Sequence, residues 1–293
     1  MSEVRAEQSA VQINWFPGHM TKALRGMESD LKLVDAVCEI TDARIPYSSR
    51  NPALNGILGE KPRVILLNRA DLADKTATTK WIQYYRRCGI IAIDTDCKSG
   101  RGVDKLQAAL KLALKEKLQR LAEKGQSGRP IRAMVVGIPN VGKSTLINKI
   151  AGRKAAAAGN RPGVTKGRQW ISAGAGLELL DTPGVLWPKF EDAEVGEHLA
   201  FTGAVKEEVI DLEALAARLM TLLNREYRAL LCGRYKLSDT ENLSGYALLE
   251  LAAGKRGYLL PGGEINLERM SSVLLDEFRS GTLGRITLEL PKC

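Results

Sequence analysis

Five short apolar runs punctuate the first two-thirds of the chain, at residues 34–40, 64–67, 90–93, 133–136 and 177–180. They are too short for helices and do not alternate with polar residues, so each reads as a strand buried on both faces. Helical patterning lies between most of them. Residues 105–123 carry Leu106, Leu110, Leu114 and Leu121 near helical spacing, then break at the polar, turn-rich segment Lys124-Gly-Gln-Ser-Gly-Arg-Pro130. The alternation predicts an α/β fold with a doubly wound, mostly parallel sheet. Beyond about residue 206 the strand signal stops. Asp211 is placed to cap a helix with a stripe of Leu212, Leu215, Leu219 and Leu222. Asn266 caps another with Leu267, Met270, Leu274 and Phe278, ended by Gly281. Such stripes are the core of a small helical domain rather than a cofactor box. The junction falls near 204–210, giving domains 1–204 (with the segment 1–33 included) and 205–293.

The length of 293 residues suits two domains. No run of 18 or more apolar residues exists, so no membrane-spanning helix is expected, and the charged start lacks the apolar centre of a signal peptide. The five cysteines are scattered without a CxxC pair, which disfavours a disulfide framework or zinc site and fits a reducing cytoplasm. With only His19 and His198, a histidine-rich metal centre is excluded. The net charge of +9 is uneven. Residues 205–293 hold 12 basic and 13 acidic side chains, whereas residues 143–170 hold seven basic and no acidic ones. That stretch either attracts a polyanion through its phosphates or is a solvated basic surface.

Gly137-Ile-Pro-Asn-Val-Gly142-Lys143-Ser144 fits G-x-x-x-x-G-K-[ST] in full, after an apolar strand and before a helical Thr145-Leu-Ile. Glycines let backbone amides from Asn140, Val141 and Gly142 onward curl around a phosphate, and the following helix adds its positive end. Lys143 reaches the β- and γ-phosphates, and Ser144 offers a hydroxyl to Mg²⁺. Downstream, Asp181-Thr-Pro-Gly184 places a carboxylate at a strand end for Mg²⁺ and the Gly184 amide for a γ-phosphate. Thr165, in Arg161-Pro-Gly-Val-Thr165, supplies a hydroxyl that meets Mg²⁺ only in the triphosphate state, as a switch loop does.

Asn68-Arg69-Ala70-Asp71 follows a strand at the spacing of the guanine reader N-K-x-D. Asn68 serves the Hoogsteen edge, Asp71 accepts from N1–H and the exocyclic amine, and the stem of Arg69 covers the base in place of lysine. Asp96-Cys97-Lys98 stands where S-A-K would lie; the Cys97 amide is set to reach O6 and Lys98 to stack. These readers precede the P-loop, the reverse of the ordinary order. Cutting a doubly wound sheet at one connection and joining its old ends at 124–130 produces this order without moving the site. The chain leaving Gly184 then runs into the C-terminal domain, a covalent route by which nucleotide state biases that domain.

Further stretches complete a resemblance. Trp15-Phe-Pro-Gly-His-Met20, Asp42-Ala-Arg-Ile-Pro-Tyr-Ser-Ser-Arg-Asn-Pro52, the P-loop, Arg161–Thr165, Asp181–Gly184 and Lys255-Arg-Gly…Gly262-Gly-Glu-Ile-Asn266 are similar to those of the circularly permuted ribosome-assembly GTPases, of the ribosome biogenesis GTPase A type. The resemblance spans about residues 12 to 290. It implies binding and hydrolysis of GTP with Mg²⁺, a role in late maturation of the large ribosomal subunit, stimulation by that precursor particle, and a C-terminal domain that touches rRNA, with ribosomal proteins as further partners of a protein monomeric off the ribosome. The position after Gly184 is Val185, not the water-orienting glutamine of many GTPases. The resemblance suggests His19 for that task; the alternative is that His19 caps or docks the helix that follows. It also suggests Asn140 as a K⁺ ligand, the alternative being a brace within the loop. Two other classes stay open at this point: a nucleotide-gated RNA-binding scaffold with negligible turnover, kept alive by Val185, and an ATPase or kinase, kept alive by Arg69 and Asp96.

Overall fold

A computed structural model describes residues 19–126, 128–152, 170–174, 176–187, 190, 192–205 and 210–292. The chain begins with α1 (His19–Asp30) and a 3-10 turn, then runs β1 (Ala36–Asp42), α2 (Pro52–Leu58), β2 (Arg63–Asn68), α3 (Lys75–Arg87), β3 (Ile91–Asp94), α4 (Lys105–Ala113), α5 (Lys115–Glu123), β4 (Ile131–Val136), α6 (Lys143–Ala151), β5 (Trp170–Ser172) and β6 (Leu177–Asp181). The strands form one sheet in the order β3-β2-β1-β4-β6-β5. Every pair is parallel except β5–β6, as a mostly parallel sheet requires.

From β1 the chain winds outward through β2 to β3. It then returns to β4 on the other side of β1 and continues toward β6. The direction of winding reverses between β1 and β4, and the crevice beyond the carboxyl ends of these strands is where ligands bind in such sheets. Asp42, Asn68, Asp94, Gly137 and Asp181 all stand at that end or just past it. Chain order therefore differs from spatial order in the way a circular permutation predicts.

The apolar runs form strands because helices cover both faces. All seven residues of β1 are buried, as are residues 64–68 of β2. Glu39, inside β1 and 2% exposed, survives there because Arg50 (3.0 Å) and Arg63 (3.3 Å) neutralise it. Asp74 caps α3 by accepting from the Ala77 amide, and α3 then lays Trp81 and Tyr85 against Ala43, Ile65 and Leu67. The helical run expected over 105–123 is two helices, because Leu114 leaves helical geometry between them while its side chain stays buried.

The second unit holds α7 (Ala193–Phe201), α8 (Leu212–Glu226), α9 (Arg228–Tyr235), α10 (Gly245–Arg256) and α11 (Leu267–Ser280). Asp211 caps α8 and Asn266 caps α11 through side-chain oxygens, and Gly281 ends α11 at φ +80°. Leu215, Leu219, Leu248, Leu249, Met270, Leu274 and Phe278 form the core. His198 is buried in α7 beside Phe201, a packing position.

The compact units divide elsewhere than at 204–205. The sheet unit runs to Trp187 and takes back the tail from Thr287, while the helical unit ends at Ile286. α7 joins the helical unit because Arg279 of α11 donates to the carbonyls of Ala200 and Phe201, and Arg218 of α8 pairs with Glu197. The tail returns through the Leu288 amide on the Arg44 carbonyl (2.8 Å) and the Trp81 indole on the Glu289 carbonyl (2.9 Å). No helix among the described residues is long and apolar enough to cross a membrane.

Candidate functional site

The loop between β4 and α6 has the shape its sequence demands. Gly137 leaves the strand at φ +155°, where a Cβ would lie 2.5 Å from the Ile40 carbonyl oxygen. Gly142, at φ +105°, caps α6, and a Cβ there would lie 2.3 Å from the amide nitrogen of Asn68. Asn140 is exposed and takes a left-handed conformation at φ +60°, whereas Val141 is buried. Ser144 and Thr145 are exposed in the first turn of α6, so hydroxyls and free amides gather at the positive end of a helix.

Lys143 is buried and curls back over the loop, donating to the carbonyls of Gly137 (3.0 Å) and Ile138 (2.7 Å). Burial pushes its ammonium down to about 8, opposed by the charge of Asp181. The Asp181 carboxyl is raised by burial and pulled back by Lys143. Thr182 pins the strand exit by donating to the Val135 carbonyl (2.6 Å). Gly184 then passes so close to the loop that a Cβ would stand 2.8 Å from Lys143 Nζ and 2.9 Å from the nitrogen and Cα of Pro139. Glycine is required there by proximity.

The base-reading motif reaches the same loop from across the sequence. Asn68 donates to the Val141 carbonyl, 73 positions away, at 2.6 Å, and its oxygen accepts from the Cys97 amide at 2.9 Å. Arg69, at φ +59°, donates to the Asn140 carbonyl at 2.7 Å. Its other nitrogen lies 3.6 Å from Asp42, which is itself held in a buried pair with Arg44 at 2.8 Å. These cations hold the Asp42 carboxyl below its usual range although burial works against them. Arginine thus ties the reader to the phosphate loop and to the end of β1. Asp71 is half-buried in the next turn, near enough to favour the charged form of Arg69. Asp96 departs from S-A-K but builds the same kind of turn, its carboxylate accepting from the amides of Lys98 (2.9 Å) and Ser99 (3.2 Å). Cys97 is buried, its thiol pushed up to about 11, and Lys98 is exposed.

The structure therefore brings Asn68, Arg69, Cys97, Asn140, Val141, Gly142, Lys143, Asp181 and Gly184 together. Val185 and Leu186 are fully buried and offer no polar side chain. Thr165, with Lys166 and Arg168, lies outside the described residues. So does the side chain of His19, whose backbone opens α1. Four residues not singled out from the sequence also build the site: Asp42, which pairs with Arg69; Arg44, which pairs with Asp42; Asn51, which donates to the Val185 carbonyl; and Glu289, which grips the turn before Asn51. Asp42, Arg44 and Asn51 sit in a run carried only by the resemblance, and nothing local marks Glu289.

The oxygen groups at this end of the sheet that could hold a cation are the hydroxyl of the exposed Ser144 and the carboxylate of Asp181. Among the described residues no cluster of three or more His, Cys, Asp or Glu exists. That set suits a hard cation completed by phosphate and water rather than an all-protein cage.

Comparison with known proteins bears on this geometry. A family described as 50S ribosome-binding GTPase matches residues 132–230, which include the P-loop and Asp181–Gly184 but not the base readers that precede them. Ribosome biogenesis GTPase A of Bacillus cereus is 47% identical over 283 residues, covering 96% of this chain and 94% of that one. The chain belongs to the ribosome biogenesis GTPase A family. The Thermotoga maritima member is 32% identical over 96% of this chain and 95% of its own length. Mitochondrial ribosome-associated GTPase 1 of Mus musculus is 35% identical over 95% of this chain and 91% of its own length. Among solved structures, GNP-bound YlqF from T. maritima aligns with a TM-score of 0.66 at 30% identity, over 92% of this chain and 99% of that one. A GDP-bound YlqF structure aligns with a TM-score of 0.68 at 28% identity, over 91% and 99%. Family and geometry agree on a P-loop GTPase with a helical second unit and a permuted chain.

Proposed function

We propose that this chain binds GTP with Mg²⁺, hydrolyses it to GDP and phosphate, and acts in late maturation of the large, 50S-type ribosomal subunit, which stimulates the reaction. The observation that carries the reading is the Asn68 side chain, bonded at once to the P-loop through Val141 and to the Cys97 amide. It makes base recognition and phosphate binding one unit.

In this reading the guanine edge meets Asn68 and Asp71, the Cys97 amide turns from Asn68 Oδ1 to O6, and the stems of Arg69 and Lys98 cover the ring. The amides of Asn140 through Thr145 and the start of α6 hold the phosphates. Lys143 releases the carbonyls of Gly137 and Ile138 to reach the β- and γ-phosphates. Ser144, Asp181 and Thr165 would hold Mg²⁺, which when bound would supply positive charge against the phosphates. The Gly184 amide donates to the γ-phosphate. Since Val185 cannot orient water, His19 takes that task, being able to accept a proton near neutral pH. Asn140, exposed beside the cradle, is the K⁺ ligand. The helical unit touches rRNA, with phosphate attraction supplied by the basic stretch 143–170, and ribosomal proteins are further partners of a cytoplasmic monomer.

Multiple-turnover hydrolysis, with and without large subunits and K⁺, tests this. A rate raised by the particle is expected, and a flat rate in every condition returns the scaffold reading. His19→Ala is expected to slow hydrolysis while leaving GTP affinity nearly intact; equal losses in both make His19 structural. Competition by GDP over ADP checks the base assignment, and preference for ADP removes it.

A further inference from the structure

We infer that Asn51 is a positioning residue for the γ-phosphate-sensing segment and sets the preference for GTP over GDP. The inference rests on the GTPase reading above and adds a residue to it. Gly184 lies against Pro139 and Lys143 with no room for a side chain, so the peptide plane that carries its amide, between Pro183 and Gly184, must be held in place by the residues around it for that amide to meet a phosphate. Val185, next in the chain, has no polar side chain and is 1% exposed. Its carbonyl is the polar handle by which this stretch is held, and Asn51 Nδ2 donates to it at 2.9 Å.

Asn51 is itself held without slack. It is 2% exposed, and its Oδ1 accepts from the Ala53 amide at 2.9 Å as the cap of α2, with Pro52 at the first helical position. The amide orientation is thereby set, oxygen to the helix and nitrogen to Val185. A cap alone needs only an acceptor, and serine, threonine or aspartate serve as well. The donor is surplus to capping, and asparagine supplies both at this position.

The loop carrying Asn51 is anchored at each step. The Asp42 amide donates to Ser49 Oγ (3.0 Å), and that hydroxyl donates to the Ile45 carbonyl (2.6 Å). The Glu289 carboxylate from the returning tail accepts from the amides of Tyr47 (2.6 Å) and Ser48 (3.1 Å) and from the Ser48 hydroxyl. Asn51 thus stands on a braced loop and holds the sensor through Val185, one residue beyond the P-loop contact of Gly184.

The test uses the full-length protein with Asn51→Ser and Asn51→Asp, both of which keep a capping acceptor and remove the amide Nδ2 that reaches the Val185 carbonyl. GDP and a non-hydrolysable GTP analogue are titrated on each variant, and kcat and KM for GTP are measured beside thermal melting. The inference expects GDP affinity within about twofold of the parent, the GTP analogue at least about fivefold weaker, and a lower kcat. Asn51→Asp should be the worse, since its carboxylate oxygen faces the Val185 carbonyl. An unchanged ratio of GTP-analogue to GDP affinity overturns the inference, whether the two affinities hold or fall together with melting temperature. Failure of the underlying reading shows separately, as a parent protein that neither prefers guanine over adenine nucleotides nor turns GTP over.

Discussion

Lys143 is buried and its ammonium is pushed down to about 8 by that burial, which makes phosphate binding pH-dependent in a calculable way. Its ammonium sits at about 8 in the free site, against about 10.4 for an exposed lysine. A bound phosphate favours the charged form, so the bound state holds more protons than the free one. The sign follows: binding takes up protons, and affinity falls as pH rises through 8. The uptake should be about 0.1 proton at pH 7 and about 0.5 at pH 8, and affinity should drop about fourfold between pH 7 and 8.5. The ligand-free fold shows the converse. Its unfolded form binds more protons between about 8 and 10.4, so the cost of burying this charge, about 3 kcal/mol, is present below that window and disappears as pH rises through it. Calorimetry of GDP binding at pH 8, in buffers of different ionisation enthalpy, reads the uptake directly. No uptake at pH 8, together with equal affinity at pH 7 and 8.5, refutes the account of Lys143.

Three substitutions probe the packing around the site and beyond it. Gly142→Ala places a Cβ on the Asn68 amide at a backbone conformation disfavoured by about 1–2 kcal/mol, so GDP affinity should fall at least about tenfold in a fluorescence titration; an unchanged affinity would mean the reader and cradle are not interlocked. Asp42→Asn leaves the buried Arg44 guanidinium without its counter-charge and should lower stability to urea by about 3–5 kcal/mol, with a loss under 1 kcal/mol counting against the charge argument. Gly245→Ala brings a Cβ within 2.0 Å of the Ala217 carbonyl oxygen, where α10 crosses α8, and should destabilise the helical unit by about 1–3 kcal/mol in thermal melting while GDP binding is retained.

What could be read from the sequence was what is local. Gly137 through Ser144 announces its own loop, because each residue type answers a backbone need within eight positions. Asp211, Asn266 and Gly281 mark helix ends for the same reason. The permuted order was legible because two local motifs, Asn68–Asp71 and the P-loop, came in the wrong sequence. What stayed hidden depends on pairs far apart. No local pattern named the partners that let the charges of Glu39, Asp42 and Arg44 be buried in and beside the sheet. Glu289 gave no signal, because its ligands are amides at Tyr47 and Ser48, 242 and 241 positions away. The compact units part after Trp187 and after Ile286, edges that composition does not mark because α7 and the tail are assigned by what they pack on. Asp96 looked like a defect in S-A-K, yet it supplies the turn by a different oxygen.

The returning tail makes the helical unit an insertion rather than an appendage. A protease that cuts between the sheet unit and α7 severs one junction, yet the downstream fragment still ends in the strip docked along Arg44, Trp81 and the 47–48 turn. Nicked protein should therefore migrate as a single species until denatured.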